Sequence, residues 1–128
     1  MVIDTSALIA VLFDEPERDE FIGKIVAAPR RLISSATLLE SSIIVGSKRG
    51  EIAERELDLF LHRAKVRTVA VDEHQSELAR VAWRRYGKGR HPAGLNFGDL
   101  FAYALARSSA DVLLFKGDDF TKTDVAPA

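Results

Sequence analysis

The chain begins MVIDTSALIAVLF (residues 1–13), and this stretch decides the fold. The short apolar segment Met1–Asp4 has the length of a buried strand, and the apolar run Thr5–Phe13 has the length of a helix. The same order returns where the apolar segment Arg31–Ser34 precedes a helical pattern from Ala36 to Lys48. Strands that alternate with helices predict βαβ units. We therefore expect an α/β fold with a central, mostly parallel sheet and helices on both faces.

The rest of the chain continues this alternation. Gly50 should end the helix that begins at Ala36, and Pro16 and Asp72 suit the starts of two other helices. The remaining predicted elements are helices 16–27, 51–65, 73–86 and 98–109, strands 66–71, 111–115 and 123–125, and a glycine-rich loop over 87–95.

The composition excludes several classes of protein. The 128 residues correspond to one ordinary domain, so we treat 1–128 as a single unit. There is no cysteine, which excludes disulfides and thiolate metal sites. The apolar run 7–13 is too short to cross a bilayer, and no basic segment of a secretory signal precedes it. We expect a soluble, cytoplasmic protein without a membrane segment.

Basic residues are concentrated in one segment, although the formal net charge is only −1. From Leu78 to Gly98 the chain has no acidic residue, and the cations there are Arg80, Arg84, Arg85, Lys88 and Arg90. This segment is either a solvated helix face or a path for a nucleic-acid backbone. Trp83 and Tyr86 share a helical stripe with alanines, so we expect them to pack in the core rather than to stack on bases.

Acidic residues occupy five positions of interest. Asp4 ends the first predicted strand, and Asp118 and Asp119 follow the strand 111–115. These are the strand ends at which parallel sheets bind ligands. Glu40 shares a helix face with apolar residues, and Asp99 lies on the inward side of a helix's first turn. Each position also has a structural explanation, as a helix cap, a helix rim, a favourable charge at a helix N-terminus or a turn.

The joint pattern of these acids favours a metal site. Carboxylates that converge repel one another, and a divalent cation removes that cost. An all-oxygen ligand set selects Mg²⁺ or Mn²⁺, and either ion can activate water against a phosphodiester. The three histidines have no spacing typical of ligands.

Four segments together resemble the PIN-domain ribonucleases, and more narrowly their VapC-type toxins. They are VIDTSALIAVLF at 2–13, SSATLLESSIIV around Glu40, LNFGDLFAYALA around Asp99, and LLFKGDDFTKTD at 113–124. The resemblance implies a three-layer α/β/α fold and a metal-dependent endoribonuclease that uses Mg²⁺ or Mn²⁺. It implies Asp4, Glu40, Asp99 and Asp119 as catalytic and metal-binding residues. It also places Thr5, Ser6 and Asn96 around the metal site, with Asp118 as a neighbouring or substitute ligand.

The resemblance also implies partners. These are an RNA substrate, a cognate antitoxin protein and a second copy of the chain in a homodimer. Two alternatives remain open from the residues alone. One is a receiver-like signalling module that binds Mg²⁺ without cutting. The other is a DNA-directed nuclease with the same metal chemistry.

Overall fold

The computed structural model describes all 128 residues, and its short apolar segments form one parallel sheet in the order β3–β2–β1–β4. Val2 pairs with Leu32 on one side and with Leu113 on the other. The strands are shorter than the sequence predicted: β1 is Val2–Ile3, β2 is Leu32–Ser34, β3 is Arg67–Val69 and β4 is Leu113–Leu114. The predicted α/β fold with a parallel sheet is confirmed.

Five helices connect the strands. They are α1 (Thr5–Leu12), α2 (Arg18–Ala27), α3 (Ser35–Arg63), α4 (Glu73–Tyr86) and α5 (Phe97–Ser108). The Asp72 carboxylate caps α4 by accepting a hydrogen bond from Gln75 N at 2.8 Å, as the sequence predicted. Gly50 has φ 78° and ψ −175°, a left-handed φ that interrupts α3 and separates the two helical segments that the sequence predicted.

Two hydrophobic cores lie on opposite faces of the sheet. Successive strand residues point to opposite faces, so Val2 belongs to one core and Ile3 to the other. Leucines of β4 divide in the same way. The first core contains the inward faces of α4 and α5, and the second contains those of α1, α2 and the end of α3. The result is the three-layer arrangement, with all four strands ending at the same edge.

Two local predictions were wrong. The segment 123–125 is not a strand, because hydrogen bonds from Thr123 N and Oγ1 to Phe120 O close a 3₁₀ turn over Phe120–Lys122. Trp83 is not a core residue. It is 43% exposed, because Ala82 and Tyr86 form the buried stripe of α4. No helix combines the length and apolar character needed to cross a membrane.

Candidate active site

An open pocket of about 400 Å³ lies where the strands end, and it brings together three of the predicted carboxylates. Asp4 follows β1 directly, Glu40 lies in the second turn of α3, and Asp99 lies in the first turn of α5. The pocket is also lined by the three polar residues that were predicted around it, Thr5, Ser6 and Asn96.

Asp4 is almost fully buried at 4% exposure and caps α1. Its Oδ2 accepts hydrogen bonds from Ser6 N at 2.9 Å and from Ser6 Oγ at 2.6 Å. Burial raises the pKa of Asp4, the hydrogen bonds from Ser6 oppose this rise, and the nearby charge of Glu40 adds to it. Ser6 therefore fixes a carboxylate whose negative charge is costly in this position.

Glu40 is oriented by the Thr5 hydroxyl and by the absence of a side chain at Gly98. Thr5 Oγ1 donates a hydrogen bond to Glu40 Oε1, while the neighbouring Ser41 hydroxyl donates to Thr37 O at 2.8 Å. On the other side Glu40 approaches Gly98 so closely that a Cβ at that position would lie 1.9 Å from Glu40 Oε2. The glycine in the LNFGD segment thus leaves the space that Glu40 occupies.

Asp99 is held by a reciprocal cap at the start of α5. Its Oδ2 accepts a hydrogen bond from Asn96 N at 2.9 Å, and Asn96 Oδ1 accepts one from Asp99 N at 3.0 Å. Burial raises the pKa of Asp99 to about 6, and the charges of Asp4, Asp119 and Glu40 contribute to the rise. The carboxylates are therefore close enough to affect one another.

Asp118 and Asp119 are both exposed and do not line the pocket. Asp119 precedes the 3₁₀ turn and is near enough for its charge to raise the pKa of Asp99. The charge of Asp118 is not among the causes of that rise, and its carbonyl accepts hydrogen bonds from Thr121. Of the two, Asp119 is the better placed to join the other acids.

The donor set fits a hard divalent cation. Asp4, Glu40 and Asp99 share one pocket, and no Lys, Arg or His side chain forms an ion pair with any of them. As the side chains stand, no three of them are gathered tightly enough to hold a metal ion. Binding an ion therefore requires the carboxylates to close around it, and the relief of their mutual repulsion favours that closure.

Three charged residues of the pocket were missed by the sequence analysis. Glu15, Lys48 and Lys116 line it together with the predicted carboxylates. One signal was available, because Lys116 stands directly between the strand 111–115 and the acidic pair within the LLFKGDDF segment. Glu15 and Lys48 do not follow a strand and lie outside the four segments that resemble the family. Only the folded structure shows that they lie next to the carboxylates.

The predicted basic segment lies beside this pocket rather than in it. All five of its cations are exposed, and none lines the acidic pocket. Arg80 pairs with Glu77, Arg85 lies 3.5 Å from Asp124, and Arg90 covers the Trp83 ring. Arg80 also lines a neighbouring apolar groove that Trp83 and Phe97 flank.

Comparison with known proteins gives consistent results. The family model described as PIN domain matches residues 1–126. A protein of Mycolicibacterium smegmatis named Ribonuclease VapC is 57% identical over 126 residues, covering 98% of each chain.

Two solved structures have the same fold. One is the Mycobacterium tuberculosis VapC20, titled a Sarcin-Ricin loop cleaving toxin, with a TM-score of 0.80 at 16% identity, covering 99% of this chain and 97% of that one. The other is a toxin-antitoxin complex from Klebsiella pneumoniae, with a TM-score of 0.73 at 19% identity, covering 99% and 95%.

Proposed function

The chain belongs to the PIN-domain family, and on that premise we propose that its acidic pocket is the catalytic site of a metal-dependent endoribonuclease. The protein is a ribonuclease of the VapC type, the toxin of a toxin–antitoxin pair. One observation carries the assignment of the site: Asp4, Glu40 and Asp99 share one pocket and lack cationic partners. RNA cleavage that requires both a divalent cation and Asp99 is the test of this assignment.

VapC ribonucleases of this family are metal-dependent in general. Here Asp4 and Asp99 would hold the principal ion, and Glu40 and Asp119 would complete its ligands or hold a second ion. Oxygen ligands favour Mg²⁺ or Mn²⁺. Such an ion supplies an activated water and a positive charge that stabilises the leaving oxygen of the phosphodiester.

The chain's own residues position this ligand set. Ser6 holds the Asp4 carboxylate through two hydrogen bonds, and Thr5 holds Glu40. Asn96 orients Asp99 through the reciprocal cap. Each of these contacts engages one carboxylate oxygen, so the carboxylates approach a cation from fixed directions.

Family membership excludes the receiver-like alternative, which belongs to another family. The DNA-directed alternative uses the same metal chemistry, and the ribonuclease name of the similar protein favours RNA. Single-stranded RNA and DNA of matched sequence, offered side by side, distinguish the two. Cleavage of RNA alone is expected.

Replacing Gly98 with alanine should damage the site without removing any carboxylate. The new methyl group would displace Glu40, whose side chain is flexible, so we expect little loss of stability and a loss of about tenfold or more in cleavage rate. Thermal unfolding and single-turnover cleavage measure the two effects. Gly23→Ala is the matched control, because its Cβ meets nothing within 4 Å on helix α2. Full activity in Gly98→Ala would contradict the role of Glu40.

Separate substitutions of Asp118 and Asp119 should have unequal effects. We expect Asp119→Asn to lower the rate of cleavage about 100-fold as a lost metal ligand, and Asp118→Asn to retain most activity. The two residues are adjacent and both exposed, so each variant is the control for the other. If Asp118→Asn loses activity and Asp119→Asn retains it, Asp118 rather than Asp119 is the metal ligand.

The basic segment of α4 and its following loop should guide the RNA backbone towards the pocket. The double charge reversal Arg84→Glu with Arg85→Glu should weaken RNA binding about tenfold and make its dependence on salt shallower, since fewer phosphate contacts release fewer counterions. Fluorescence anisotropy over a salt series measures both. Because Arg85 also pairs with Asp124, Arg84→Glu alone is the cleaner single variant. If the double variant and Arg84→Glu both bind RNA with unchanged affinity, the basic segment does not contact the RNA.

A toxin of this type has an antitoxin partner, and solved VapBC-type complexes share the fold. We propose in addition that this chain forms a homodimer. Large apolar side chains remain exposed on α3 and α5, among them Leu39, Ile43 and Phe97, and exposed apolar surface of this kind is typical of contacts with other chains. Light scattering of the purified chain tests for the dimer, and a monomer at all concentrations would contradict it.

A further inference from the structure

Lys48 and Lys116 are the two cationic residues among the eleven that line the acidic pocket. RNA that approaches this pocket meets at least three carboxylates, and like charges repel strongly where water is partly excluded. A substrate phosphate next to the reacting one therefore needs a positive partner near the acids. The two lysines are the side chains of the pocket with that charge.

Lys48 carries a free positive charge at the rim. It lies on α3 about two turns beyond Glu40, and it forms no ion pair with any carboxylate. Its Nζ lies 5.6 Å from the centroid of the Phe13 ring. The residue is exposed, so its ammonium group can meet an incoming anion.

Lys116 is anchored to the catalytic pocket through its backbone. Its N–H donates a hydrogen bond at 2.9 Å to Ser6 Oγ, the same hydroxyl that donates to Asp4. Its Nζ pairs with Glu15 at 2.6 Å and with Glu17 at 3.0 Å, and all three side chains are about one-third exposed. Ion pairs this near the surface contribute little, so a phosphate can replace one of the carboxylates.

The two lysines reach the pocket of Asp4 from different elements. β1, which ends at Asp4, lies between β2 and β4. Lys116 lies two residues beyond β4, and Lys48 lies near the middle of α3, the helix that follows β2. A strand of RNA with its scissile phosphate at Asp4 would therefore have two cations within the same pocket.

From this arrangement, and resting on the proposed ribonuclease function, we propose that Lys48 and Lys116 bind backbone phosphates of single-stranded RNA next to the scissile phosphate. Lys116 exchanges one of its two pairings, with Glu15 or with Glu17, for a phosphate when RNA binds. Both lysines are substrate-binding residues, and neither takes part in proton transfer.

The test measures binding apart from cleavage. In the Asp99→Asn protein with Mg²⁺, the dissociation constant of a fluorescein-labelled single-stranded RNA is measured by anisotropy over a salt series. We expect Lys48→Gln and Lys116→Gln each to weaken binding about fivefold, and each to lower the slope of log affinity against log salt by roughly 0.7. Arg63→Gln is the control, because Arg63 is exposed and unpaired at the far end of α3, near the start of β3. It should change neither quantity.

The same lysine variants in the otherwise unaltered protein should raise KM for RNA and change kcat little. Unchanged affinity and salt slope in the lysine variants, or losses no larger than that of Arg63→Gln, would overturn the proposal. RNA binding too weak to measure in the parent Asp99→Asn protein would overturn it as well. Failure of the ribonuclease function itself has a different signature, namely lysine-dependent RNA binding by a protein that cuts no RNA.

Discussion

Replacing Asp99 with asparagine should abolish RNA cleavage and, in the absence of metal, stabilise the protein at neutral pH. The activity should fall about 10³-fold, because a principal metal ligand loses its charge. The stability should rise because the half-buried, crowded carboxylate has a raised pKa of about 6, so its charge is unfavourable in the folded protein. Asparagine keeps an oxygen that can accept the hydrogen bond from Asn96 N.

The gain in stability should depend on pH in a definite direction. The pKa of Asp99 is higher in the folded protein than its ordinary value of 3.8, so the folded protein binds more protons between pH 3.8 and about 6. The free energy of unfolding of the metal-free protein therefore falls as pH rises through this window. The asparagine variant has no titrating group at this position and does not show that part of the decrease. Since Asp99 is only half-buried, we expect a gain of about 1 kcal/mol above pH 7.

Thermal unfolding with chelator, for both proteins at about pH 4 and pH 7.5, measures this difference. We expect Asp99→Asn to be more stable than the unaltered protein at about pH 7.5, and to differ little from it in stability at about pH 4. A variant that is less stable than the unaltered protein at neutral pH would show that Asp99 is a structural residue of α5 rather than part of a repulsive cluster.

Replacing Asp4 should separate catalysis from helix capping. Asp4→Asn and Asp4→Ala should both lower cleavage about 10³-fold, because each removes a buried metal ligand. Only alanine also removes the acceptor for the Ser6 hydrogen bonds at the start of α1, which should cost about 1 kcal/mol or more of stability. Cleavage assays and denaturant unfolding measure the two effects.

Asp72→Asn is the matched control for Asp4→Asn. Asp72 also caps a helix, α4, with its carboxylate, yet it does not line the pocket. The Asp72→Asn protein should cleave RNA at the full rate. Comparable activity in Asp4→Asn and in Asp72→Asn would mean that Asp4 is only a cap.

Patterns local to a few residues predicted much of the fold. The strand–helix alternation gave the parallel sheet, and the Asp72 cap gave the start of α4. The final segment was mispredicted because a 3₁₀ turn held by Thr123 competes with extended pairing, and only the surrounding structure decides between them. Trp83 was mispredicted because the buried stripe of α4 is narrow, and rotation by one residue exchanges Trp83 for Ala82 at the interface.

The candidate site divides in the same way. The sequence pointed to Asp4 because it stands at the end of a predicted strand. It pointed to Glu40 because this charged residue lies on the same helix face as apolar residues. Lys48 could not be found by such reasoning, because an exposed lysine on a helix is ordinary until the fold places it beside a carboxylate pocket. The role of Gly98 was hidden for a similar reason: its missing Cβ matters only because Glu40, 58 positions earlier, fills the space.

The central claim is that the carboxylate pocket cuts RNA through a bound divalent cation. The most direct test is cleavage of a mixed RNA pool by the unaltered protein and by Asp99→Asn, purified identically, with Mg²⁺, with Mn²⁺ and with chelator. We predict cleavage by the unaltered protein with either metal, none with chelator, and none by Asp99→Asn under any condition. Cleavage that persists in chelator, or equal cleavage by the two proteins, would contradict the claim.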